Sequence, residues 1–208
     1  MSDRVGRDHH VCPNAPLVPA AFALALAVPA DAQDVWRAYQ FRDNEEFRYD
    51  LKQTENGAVT TGFYLLSVQP AGAGRMQLAI QGKLADTECS GSATVERGSA
   101  SPYQLSTGCQ MLAPVLVGAF MPMSTWFMNR PLVPGDTWDV GHKGESVSFR
   151  VNGACTHAGQ AGRRVEVRHN NEVRLKACLA PDIRLPLAVF WSEEGDDPIE
   201  IELVGYQR

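Results

Sequence analysis

Residues 106–129 read STGCQMLAPVLVGAFMPMSTWFMN, 24 positions without a charged side chain. Apolar side chains at Met111, Leu112, Val115, Leu116, Ala119, Phe120, Met123, Phe127 and Met128 recur at steps of three and four. That is the period of a helix apolar nearly all round, which calls for burial on every side. Pro114 suits a first turn, where its missing N–H is no loss. Pro122 removes an internal bond and is expected to kink or split the helix. The stretch is long enough to span a bilayer. Gln110, Ser124, Thr125, two prolines and the lack of Lys or Arg clusters on the flanks speak against a span. The expected element is a core helix, or a broken helix, over about residues 111–129, with no transmembrane span in the mature chain.

Working outward, the sequence on both sides of this stretch has the period of strands. Phe47, Tyr49 and Leu51 alternate with Arg48, Asp50 and Lys52, the pattern of a half-buried strand. Asn56-Gly57 supplies a hairpin turn, since both residues tolerate the positive φ that a tight turn demands. Val59 to Val68 is apolar on both faces and reads as a central strand covered from both sides. Met76, Leu78, Ile80 and Leu84 mark a third strand, and residues 86–109 read as two short strands and a loop. Beyond the helix, Pro134-Gly135-Asp136 is a turn. Strand patterns follow from Trp138 and from Val147, in a hairpin around Asn170-Asn171, in LPLAVFW (185–191), and from Ile199 to Tyr206. About ten short strands and one apolar helix imply a mainly β (α+β) fold. Its expected form is a large curved antiparallel sheet, a half-barrel, wrapped around the helix.

The first 32 residues read as an export signal. Ala20 to Val28 is an apolar run of signal-peptide length, and Ala30-Asp31-Ala32 offers the small residues of a cleavage site after Ala32. Residues 33–208 then form one expected β-rich domain of an exported, periplasmic or extracellular protein. Four cysteines follow the signal: Cys89, Cys109, Cys155 and Cys178. Four allow three pairings, and an exported chain meets oxidising conditions. The expected disulfides are Cys89–Cys109 and Cys155–Cys178, each closing one local excursion of the chain. A metal site is the rival reading, with Cys155 and His157 on one strand face as a conceivable pair of ligands. No C-x-x-C occurs, however, and no metal or other cofactor is expected.

Lys+Arg number 19 against 24 Asp+Glu, a net charge of −5, and no basic block is interleaved with aromatic residues. Nucleic acid is therefore not an expected partner. The arginines of the 163–176 hairpin, Lys176, and interspersed Glu166 and Glu172 read as a solvated hairpin, with an anion-binding strip as the sharper alternative. The acidic turn from Glu193 to Asp197 has oxygens for calcium but matches no complete calcium loop. Gly144-Glu145-Ser146-Val147-Ser148 lacks the second glycine of a nucleophile elbow, and neither H-E-x-x-H nor a P-loop occurs. With no catalytic motif, the chain is not expected to be an enzyme.

The order Tyr49-Asp50-Leu51, Asn56-Gly57, Gly62-Phe63-Tyr64, apolar helix, Gly135-Asp136-Thr137-Trp138, FRVNG (149–153), RRVEV (163–167), LPLAVFW and IEIELVGY (199–206) resembles a family of exported bacterial proteins of unknown function. Those proteins have a curved β-sheet similar to the half-barrels of periplasmic lipoprotein carriers. The resemblance covers nearly all of residues 45–206. It implies a fold and no catalytic residues; carriers of that shape shield acyl chains in a trough beneath a movable helix. By that analogy the expected function is binding of a hydrophobic ligand, an acyl chain or lipid. Candidate lining residues are Tyr49, Tyr64, Leu66, Leu78, Ile80, Phe120, Met123 and Phe127. Methionine and aromatic side chains adapt to variable apolar guests, and they fill a plain core equally well. The alternative is a structural or protein-interaction module of the cell envelope with a filled core, an envelope protein as partner and no small-molecule ligand.

Overall fold

In a computed structural model, residues 35–98, 100–101, 103–142, 145–192 and 198–208 are described. The expected signal peptide and the acidic turn lie outside them. Ten strands form one sheet in the order β4-β3-β2-β1-β10-β9-β8-β7-β6-β5, every neighbouring pair antiparallel. The first meander comprises β1 (Glu45–Glu55), β2 (Ala58–Pro70), β3 (Arg75–Leu84) and β4 (Thr87–Glu96). The second comprises β5 (Thr137–His142), β6 (Glu145–His157), β7 (Gln160–His169), β8 (Glu172–Leu179), β9 (Pro186–Trp191) and β10 (Ile199–Gln207). Pairing of β1 with β10 joins the two meanders in mid-sheet, so β4 and β5 are left as the edges. The connection between those edges carries the helix α1 (Ala113–Trp126).

The sequence periods explain the local structure. In β1 the side chains of Phe47, Tyr49 and Leu51 are buried and those of Arg48, Asp50 and Lys52 exposed, a strict period of two. Asn56 (φ 51°) and Gly57 (φ 78°) make the β1–β2 turn, and Asn170 (φ 49°) and Asn171 (φ 69°) the β7–β8 turn. β2 is central, but only Tyr64, Leu66 and Val68 are fully covered; Phe63 and Leu65 stay half-buried on the opposite face. Residues 86–109 hold one strand, β4, and a loop that Cys109 fastens to Cys89 on the strand. Backbone packs on backbone there: a Cβ on Gly91 would lie 2.5 Å from both the Gly108 Cα and the Thr107 oxygen.

α1 is not split at Pro122, because Phe120 and Met123 on either side of it are buried against the sheet. That packing outweighs the cost of an interior proline, about 3 kcal/mol. Nor is the helix covered all round. Met121 (41% exposed) and Trp126 (37%) face outward, because the open sheet wraps only one side of it.

An unforeseen strap, residues 35–42, closes one end of the trough. Trp36 N–H donates to the Arg130 carbonyl at 3.0 Å, and Ala100 N–H to the Tyr39 carbonyl at 2.7 Å, so the strap joins the loops on either side of the helix. Its Trp36, Tyr39 and Phe41 side chains are buried. Beneath it lies Glu45, fully buried. Its Oε2 accepts from the Tyr39 hydroxyl at 2.7 Å and its Oε1 from the Tyr206 hydroxyl at 2.8 Å. The two bonds satisfy a carboxylate that would otherwise be costly to bury.

Two outcomes test this architecture. Gly91→Ala should lower the free energy of unfolding by about 1–3 kcal/mol in chemical denaturation, as overpacking does. Gly153→Ala, with nothing within 4 Å of the new Cβ, should leave it unchanged. Burial, and then the bond to Glu45, push the Tyr206 hydroxyl from 10.0 up to about 12, and the same causes raise Tyr39 further. The unfolded chain therefore releases phenol protons first. The stability that the Tyr206 hydroxyl contributes is complete below pH 10.0 and lost as pH rises through about 12, while that of Tyr39 persists to higher pH. Denaturation midpoints should fall between about pH 10 and about pH 12, and a constant midpoint would contradict the assignment.

Candidate functional site

The concave face of the sheet brings all eight candidate lining residues together and packs them solid. Tyr49, Tyr64, Leu66, Leu78, Ile80, Met123 and Phe127 are 0% exposed and Phe120 is 4%. They are packed against one another between helix and sheet. The Tyr49 and Phe120 rings meet at 5.8 Å, and Phe127 lies 5.5 Å from Trp138 and 5.9 Å from Phe149. Hydrogen bonds lock the tyrosines: Tyr49 donates to the Pro186 carbonyl at 3.0 Å and Tyr64 to the Leu105 carbonyl at 2.6 Å. Burial pushes both hydroxyls well above the usual phenol range, so they remain donors. Gly118 lets the helix approach β9; a Cβ there would come 2.9 Å from the Trp191 ring. All eight candidate lining residues belong to one buried hydrophobic cluster.

Open volume lies instead on the opposite face. A cleft of about 1010 Å³ runs over the outer side of β1, β2 and β8–β10. Antiparallel register sets its floor in rows. One runs Lys176, Phe190, Glu200, Lys52 and Thr61; the next runs Cys178, Ala188, Glu202, Asp50, Phe63 and Lys83. The wall is the β6–β7 hairpin. A register shift between Val151 and Ala154 bends β6. Cys155 then bonds Cys178, on a strand that is not its neighbour. His157, two residues on, meets Glu202 of β10 with Nδ1 and Oε1 2.9 Å apart.

These contacts decide among the alternatives of the sequence. Cys155 is spent in a disulfide and His157 is held by Glu202, so they do not form a ligand pair. Among the described residues no group of three or more His, Cys, Asp or Glu side chains could hold a metal ion. The 163–176 hairpin is a paired surface rather than a free cationic strip. Arg168 lies 3.4 Å from Glu166, and Lys176 stands 5.9 Å over the Phe190 ring. The His157–Glu202 pair resembles an acid–base couple, yet the sulfurs nearest to it along the strands are bonded to each other and supply no nucleophile. Lys52 and Glu200, 2.7 Å apart, neutralise one another across the floor. Two disulfides fit an oxidising compartment. Among the described residues no helix is long and apolar enough to cross a membrane.

No family model matches the sequence, and no curated protein matches it either. Solved structures similar in fold include MucB, at 15% identity and a TM-score of 0.43, covering 80% of this chain and 54% of that one. The MucA/MucB complex of Pseudomonas aeruginosa is 12% identical with a TM-score of 0.39, covering 78% of this chain and 51% of that one. A protein with a YmcC-like fold from Bacteroides fragilis is 12% identical with a TM-score of 0.34, covering 82% of this chain and all of that one. The chain thus spans about half the length of the MucB structures.

Proposed function

We propose that this chain is an exported, non-enzymatic binding module that takes a polypeptide segment across the outer face of its sheet, with the helix as a permanent filler of the trough. The observation that carries this reading is the split between the two faces. The concave face is closed, with no candidate lining residue more than 4% exposed, while the opposite face holds an open cleft of about 1010 Å³. An acyl chain laid in that cleft would strip water from Lys52, Glu200, Asp50 and Glu202 and offer them nothing in return. A polypeptide offers backbone dipoles and mixed side chains to those charges, and apolar groups to Phe63 and Phe190. A carrier whose helix swings away from the trough is the second reading. The exposed outer side of the helix, at Met121 and Trp126, favours it.

Native mass spectrometry of the protein purified from its exported location, followed by organic extraction, separates the two. The expected result is a bare polypeptide mass, with no gain in thermal stability on adding fatty acid or phospholipid. A photo-crosslinking residue at Phe190 should then capture a second polypeptide, whereas one at Phe120 should react only within the chain. A stoichiometric acyl-bearing species, lost in Phe120→Ala and Phe127→Ala, would overturn the proposal in favour of the carrier.

A further inference from the structure

At the end of the sheet where β1 begins and β10 ends, the strap gathers arginines that lie far apart in sequence. Arg42, Arg97 and Arg208 line a recess of about 380 Å³ together with Gln40 and Asp43. Arg184 adjoins it, donating from Nη1 to the Gln40 Oε1 at 3.0 Å. Burial lowers the Arg184 pKa, and the charges of Arg42 and Arg37 lower it further, against an opposing effect of Asp182. Five arginines therefore converge in a chain whose net charge is −5.

The acids at this end, Asp43, Glu45 and Asp182, are fewer than the arginines and neutralise them only in part. Asp43 is paired with Arg97, which holds that guanidinium in place. Glu45 is 3.8 Å from Arg42 and also accepts from two tyrosine hydroxyls, so its charge is shared among three partners. Arg184 bonds the neutral Gln40 amide. Gathering like charges costs free energy that a bound anion would recover. A guanidinium also presents paired N–H donors in a planar fork that matches the oxygens of a phosphate.

We infer that this recess is a binding site for a phosphate-type oxyanion, held by Arg42, Arg97 and Arg208, with Arg184 and Gln40 at its rim. The volume leaves room for a substituent beyond the anion itself. Inorganic phosphate, a phosphomonoester and an anionic lipid headgroup share the chemistry the site reads. The site stands apart from the outer cleft, and its test does not depend on what that cleft binds.

The experiment has two arms on the exported protein: calorimetric titration with inorganic phosphate and glycerol 3-phosphate, and flotation with vesicles of phosphatidylglycerol in phosphatidylcholine or of phosphatidylcholine alone. The expected result is saturable binding in at least one arm, weakened by added salt. Binding of the soluble anions assigns a free phosphate or monoester. Retention on the phosphatidylglycerol vesicles alone assigns a lipid headgroup. Arg184→Gln with Arg208→Gln, which spares the Arg42–Glu45 contact, should weaken binding by about tenfold or more, a loss of about 1.4 kcal/mol. Arg48→Gln, in the outer cleft, should leave it unchanged. Silence in both arms, or binding that survives the Arg184 and Arg208 changes, overturns the inference.

Discussion

A ten-stranded sheet that does not close has one hollow face to cover and two edges left over, and a single segment of this chain meets both needs. Residues 97–136 run from edge strand β4 to edge strand β5, and the apolar helix they carry lies across the hollow. The helix is therefore held at both ends by the strands it connects, and by the strap that bonds the loops flanking it. The remaining features follow from this placement. Small residues at Gly82, Gly91 and Gly118 let the segment approach the sheet, and the Cys89–Cys109 bond fastens its start. Each disulfide closes a loop of about twenty residues, for which chain-entropy arguments give about 3 kcal/mol of stabilisation.

The two faces of the sheet therefore differ in character. Phe120, Met123 and Phe127 are buried on the concave side, and the open cleft lies on the convex one. That side keeps alternating charges on the floor and aromatic rings between them, a surface made by the residues that a strand must turn outward. The hairpin of β6 and β7 folds over it and turns a flat surface into a cleft.

How much of this is legible in the sequence depends on the range of the interaction. Alternation in Phe47, Tyr49 and Leu51, the Asn-Gly turn, and the three-and-four spacing of residues 111–128 are local, and such patterns declare the helix and most strands, though not the single β4 in a stretch that reads as two short strands. The inward face of the sheet follows directly from them. Whether that face encloses a cavity does not, because the same apolar residues serve a filled core and an empty one. The outer cleft arises from a register shift in β6 and a bond between non-adjacent strands, neither of which has a local signature. The Glu45 carboxylate looks like any other strand acid until Tyr206, 161 residues later, is brought alongside. The arginine recess is hidden for the same reason: its members share no stretch of chain.

The bond between Cys155 and Cys178 also sets how the chain responds to tension. It encloses β7 with parts of β6 and β8 in a covalent ring, so tension applied at the chain ends passes through the sulfurs and bypasses the enclosed strands. The span of 23 positions from Cys155 to Cys178, about 80 Å of extended chain, stays out of reach of force while the bond is intact. One wall of the cleft is thus mechanically shielded, and reduction alone would add that length to the part of the protein that can be drawn out.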